Sequence, residues 1–155
     1  MLRPSLLLAL VVLVGCGGSN QQPVNRTPRN NPPPPPPPPP IVVNIADNDA
    51  TELKPQKFVD YHFPLPARTC SITGRVEGIS GGNKDFEAFI LDDDDFRNWS
   101  AHEKANGIQS GRKVVWTINE TVTGPGQWHL VVSNGFSGFT TKAVMVSAKA
   151  VCPAT

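Results

Sequence analysis

Ser71-Ile72-Thr73-Gly74-Arg75-Val76-Glu77 alternates polar and apolar side chains, and a period of two over this length predicts a strand buried on one face. Cys70, Ile72 and Val76 then share the inward side. Working outward from this stretch, the same pattern recurs along the chain. Ser80-Gly81-Gly82-Asn83 marks a turn, Phe86, Ala88 and Ile90 supply the next inward face, and Val114, Trp116 and Ile118 another. Gly124-Pro125-Gly126 turns the chain into Trp128, Leu130 and Val132, and Lys142 to Val151 forms a last strand around Val144 and Val146. Upstream, Phe58, Val59, Tyr61 and Phe63 read as an opening strand stopped by Pro64 and Pro66. Only Ser100 to Ala105 offers a helical turn. Six to eight short strands with Gly and Pro turns predict an all-β domain, an antiparallel β-sandwich.

That domain occupies residues 41 to 155, enough for a single modest core. Three of the fourteen Lys and Arg, namely Arg3, Arg26 and Arg29, precede Ile41, leaving eleven against thirteen Asp and Glu in the domain. A balance this even gives no basic footprint for nucleic acid and no polybasic membrane patch by composition.

The chain ahead of the domain is of a different kind. Arg3 precedes an apolar run from Leu6 to Val14, too short for a finished transmembrane helix and suited to the hydrophobic centre of a secretory signal. The run ends in Leu13-Val14-Gly15-Cys16, which resembles the lipobox of bacterial lipoproteins. The resemblance implies that residues 1 to 15 are removed and that Cys16 becomes the lipidated first residue. It implies a cell-envelope protein held at a membrane by its N-terminal lipid. Two or three acyl chains hold far more durably than one. Gly17 stands where an aspartate would imply inner-membrane retention, so in a diderm cell the expected site is the outer membrane.

Residues 16 to 40 read as a tether. From Gly17 to Asn31 the sequence is polar and carries a single valine, so it is expected to stay disordered. Pro32 to Pro40 is an unbroken proline run, a semi-rigid polyproline spacer at about 3.1 Å per residue.

Cys70 and Cys152 fall on an early and the last expected strand. Outside the inner membrane thiols oxidise, and a cysteine pair in a small exported domain predicts a disulfide. Closing so long a loop stabilises the fold by about 4 kcal/mol in the chain-entropy view.

One segment resembles a known family. Gly126-Gln127-Trp128-His129-Leu130-Val131-Val132-Ser133-Asn134-Gly135-Phe136-Ser137, followed by Lys142-Ala143-Val144, is similar to the last two strands of the GOLD domain of Golgi-dynamics and p24 proteins. A looser likeness runs to prepeptidase C-terminal modules. The likeness implies a partner-binding sandwich that performs no chemistry, with Asn134, Phe136, Ser137, Lys142 and Val144 as its structural motif. Asn134-Gly135 is a turn signal, and Phe136 is expected to fold back onto the core.

Other candidates are weaker. Gly78-Ile79-Ser80-Gly81-Gly82 has the Gly-x-Ser-x-Gly spacing of a nucleophile elbow, but an elbow needs strand, turn and helix, and here a turn joins two strands. The acidic stretch Asp92 to Asp95 is expected to be a loop; Phe96 and Arg97 exclude an EF-hand, leaving Asp92 and Asp94 as candidates for an irregular calcium site. His62, His102 and His129 lack zinc spacing. Trp116 and Trp128 are expected in the core, while Trp99 is a candidate to stack on a sugar or a partner. The functional expectation is therefore a lipid-anchored envelope protein with a non-enzymatic interaction or structural domain, no cofactor, and a protein or envelope component as partner. The alternative is a carbohydrate- or calcium-binding module using residues 92 to 106.

Overall fold

A computed structural model describes residues 33–154. Cys16 and the tether as far as Pro32 lie outside the described residues. Pro33 to Pro40 are exposed and belong to no sheet, and the first strand begins at the next residue. The strands are β1 (Ile41–Leu53), β2 (Phe58–Leu65), β3 (Thr69–Ser80), β4 (Phe86–Asp92), β5 (Ile108–Lys113), β6 (Val115–Thr123), β7 (Gly126–Ser133) and β8 (Lys142–Cys152), with one helix, α1 (Asp93–Ser100), between β4 and β5.

Two four-stranded sheets face each other, ordered β1-β8-β3-β6 and β2-β7-β4-β5, and every pairing is antiparallel. Each connection except that through α1 passes from one sheet to the other. This strand order is that of a double-sheet jelly roll, one of the sandwich architectures that limits exposed strand edges. The all-β sandwich read from the alternating pattern is thus the fold.

Between the sheets lie Phe63, Ile72, Val76, Phe86, Ile90, Leu130, Val132, Val144 and Val146, all buried. They are the alternate residues of their strands, as a pleat requires. Gly74 sets the spacing of the first sheet: a Cβ there would stand 2.2 Å from the Ser147 carbonyl oxygen and 2.6 Å from the Ala148 Cα. Only a residue without a side chain lets β8 lie so close to β3.

Several expectations need correction. The opening strand is β1, one strand earlier than Phe58. Its pairing with β8 shifts register on either side of Ala46, and Asn48 takes a positive φ of 50°. Bulges of this kind twist and blunt an exposed sheet edge, and they erase the two-residue period that would mark the strand. β5 is a second edge strand that the pattern missed, interrupted by Gly111 at φ 63°. The acidic stretch is helix rather than loop, and the helical turn expected over Ser100 to Ala105 ends at Ser100. Trp116 and Trp128 are half-buried, packed against the rim of the core rather than inside it.

Candidate functional site

The helix begins where it does because Asp92 caps it: the Asp92 carboxylate accepts the Asp95 backbone N–H at 2.8 Å. Asp93, Asp94 and Asp95 then occupy the first turn, where the helix dipole favours negative charge. Arg97 pairs with Asp94 and with Asp93. Asp92 is therefore committed to the cap and Asp94 to an ion pair. No cluster of three metal-ligating side chains occurs among the described residues.

α1 lies over the outer face of the sheet β2-β7-β4-β5. Leu91 and Val131 point to this face and are buried although they lie outside the inter-sheet core. Trp99 belongs to this second, smaller apolar layer. Its ring is 5.0 Å from that of Phe58 in an edge-on arrangement and 5.3 Å from that of Phe89. Beside it opens a cleft of about 320 Å³, with Phe58, Phe89 and Trp99 as its apolar part and Gln56, Glu87 and His102 among its polar groups.

His129 fastens the helix to the sheet. It is 6 % exposed, its Nδ1 donates to Asp60 at 3.0 Å, and its Nε2 lies 3.4 Å from an Asp93 oxygen. The imidazole stacks flat on Phe96, with centroids 4.1 Å apart. Nothing in the sequence spacing joins His129 to Asp60 and Asp93, since the contact depends on how β2, β7 and α1 come together.

The motif residues gather around the β7–β8 loop. Asn134 is fully buried, and its Nδ2 donates to the carbonyls of Thr140 at 2.8 Å, Leu53 at 3.1 Å and Lys54 at 3.4 Å. All three neighbours are acceptors, which fixes the amide orientation. Ser137 braces the same loop, its Oγ accepting the Thr140 N–H at 3.2 Å. Val144 is core. Lys142, only 3 % exposed, ion-pairs with Asp85, donates to the Asp85 carbonyl at 2.8 Å and reaches Asn83 at 3.3 Å. Burial pushes the Lys142 ammonium below its ordinary pKa.

Phe136 departs from its expected place. Instead of entering the core it is half-buried beside two cations, with the Arg112 guanidinium carbon 3.7 Å and the Lys142 ammonium 4.5 Å from its ring centroid. Both are at cation–π distance. Arg112 also lies 3.6 Å from the second Asp85 oxygen, so Asp85, Lys142, Arg112 and Phe136 form one cluster.

On the opposite edge, Tyr61 packs its ring on the core and donates its hydroxyl to Asp49 at 2.6 Å, with Thr51 at 3.2 Å. This ties β2 of one sheet to β1 of the other. Burial, followed by the bond to Asp49, pushes the Tyr61 phenol up to about 12. The neutral form is thus preferred in the folded state. Its stabilisation is complete below the unfolded value of about 10 and is lost as pH rises from there through 12. Tyr61 is the only tyrosine, so tyrosinate absorbance reports it without overlap. The folded protein should titrate near 12 and the urea-unfolded chain near 10; coincident curves would mean that the Tyr61–Asp49 bond is absent in solution.

Cys70 and Cys152 sit opposite one another on β3 and β8 with sulfurs at bonding distance, 2.06 Å. Ser80 ends β3 in an exposed position, and the Gly-x-Ser-x-Gly stretch leads from strand through turn to strand, the wrong setting for a nucleophile elbow. Compared with known proteins, the chain matches no family model and no curated sequence.

Proposed function

We propose that this is a lipid-anchored protein of the bacterial cell envelope whose jelly-roll domain serves as a non-catalytic interaction or structural module. The observation that carries the reading is the order of parts at the N-terminus: an apolar run ending in Leu13-Val14-Gly15-Cys16, a polar segment, then prolines leading directly into β1. Such an order serves to join a folded domain to a bilayer through a long tether. If the reading is right, Cys16→Ser abolishes incorporation of a fatty-acid analogue and leaves an unprocessed precursor. Label that persists on the Cys16→Ser protein would remove the anchor from the account.

The cleft beside Trp99 favours a second reading, a carbohydrate-binding module. An aromatic surface next to a carboxylate and an amide suits a sugar, whose ring has apolar faces and polar edges. The two readings part in a glycan titration, which perturbs tryptophan fluorescence only under the second.

A further inference from the structure

Phe139 is 98 % exposed, although it belongs to a loop whose conformation is held from below by the Asn134 and Ser137 hydrogen bonds to Thr140. Scattered apolar residues at a surface are ordinary. An aromatic ring held out at the tip of a braced loop, with Gly138 on one side and Thr140 and Thr141 on the other, is not a packing residue that failed to find the core.

Around it, exposed cations outnumber acids. The strand registers bring the β1–β2, β3–β4, β5–β6 and β7–β8 connections to one end of the sandwich. That end carries Lys54, Lys57, Lys84, Arg112 and Lys113, all exposed. The carboxylate within these connections, Asp85, is 6 % exposed and already paired. Glu52, Glu77 and Glu87, on the strands leading in, are the neighbouring acids, and Glu77 is paired with Arg75. The first turn of α1, with its run of aspartates, starts from the other end, beside the close of β4. A composition near neutral overall thus separates into a cationic pole tipped by one aromatic ring.

We infer that this pole docks on an anionic phospholipid surface, with Phe139 entering the headgroup region and the lysines lying over the phosphates. Apolar insertion next to basic side chains is the chemistry of interfacial binding. The inference rests on the envelope reading, which puts such a surface within reach. The tether joins the sandwich at the far end of β1, about 40 Å from the Phe139 loop at the rise of a strand. The residues between Cys16 and Ile41 span about 80 Å when extended, enough to bring the pole back to the membrane.

The test uses residues 17–155, which lack signal and lipid, so its outcome is separate from that of Cys16 labelling. All the buried residues of the sandwich lie between Leu53 and Cys152, so this chain retains the whole core. Co-sedimentation with vesicles of phosphatidylcholine containing phosphatidylglycerol should exceed that with phosphatidylcholine alone at least tenfold and should weaken as salt rises. Phe139→Ala, which removes no buried contact and should leave the melting temperature unchanged, is expected to reduce binding about tenfold. The pair Lys84→Glu and Lys113→Glu should do the same or more. Absence of binding to the anionic vesicles overturns the inference. So does binding that ignores both sets of substitutions, or equal retention on soluble polyglutamate, which would point to an acidic protein partner instead.

Discussion

Asp85→Ala should cost the fold about 3–5 kcal/mol, because it strands the Lys142 ammonium in a site that is almost closed to water. The ammonium keeps the Asp85 backbone carbonyl and the Asn83 side chain as acceptors, but loses the carboxylate that balances its charge. Lys142→Met should be milder. It leaves an apolar chain of similar length, and Asp85 still has Arg112 at 3.6 Å. The double variant should lie close to Lys142→Met, since removing both partners leaves no buried charge. The pH dependence has a definite sign. Burial lowers the folded pKa of Lys142, so the defect of Asp85→Ala relative to wild type should shrink as pH rises toward the ordinary lysine value of about 10.4, where the ammonium deprotonates. Chemical unfolding of the three variants measures this; an Asp85→Ala protein as stable as wild type would mean that the pair is solvated.

Reduction of the Cys70–Cys152 bridge should be nearly as costly. The cysteines are separated by 82 positions, and a loop of that length corresponds to about 4 kcal/mol in the chain-entropy model. For a domain of this size that is a fall in melting temperature of roughly 15 °C. Both cysteines are buried, so the folded oxidised protein should show no reactive thiol, and two should appear on reduction and unfolding. Stoichiometric labelling of the unreduced folded domain would refute the bridge.

The strands that could be read in the sequence are the central four and the two edge strands whose pairing keeps its register, β2 and β6. β3, β4, β7 and β8 have buried inward faces and pair on both sides; burial imposes the period of two on β3 and β8, whereas β7, buried on both faces, shows as the apolar run Leu130-Val131-Val132. β1 and β5 are edge strands with bulges and with Asp, Asn or Gly at positions that need not pack. Their sequences resemble loops because half of each strand faces solvent and the register slips. α1 was legible in principle: Asp92 followed by acidic residues through Asp95 is a capping signal, obscured by the resemblance of four aspartates to a cation-binding loop.

The candidate sites divide in the same way. At Asn134 the local signal, a strand end before a turn, coincides with the long-range role of holding Leu53 and Thr140. Phe136 departs from the expected core position, since an aromatic residue beside a core strand is normally apolar packing, whereas here Lys142 at the start of β8 and Arg112 from the distant β5 lie over its ring. Asp60, Asp93 and His129 meet only in three dimensions. The exposure of Phe139 was equally invisible, because nothing in Gly138-Phe139-Thr140 tells an outward ring from an inward one.

The central claim is that the chain is processed and lipidated at Cys16, and the N-terminal peptide of the protein recovered from cell membranes tests it most directly. Mass spectrometry should find that peptide beginning at Cys16 and carrying fatty acyl groups on the cysteine. A chain that starts elsewhere, or one that starts at Cys16 with an unmodified thiol and amine, would contradict it.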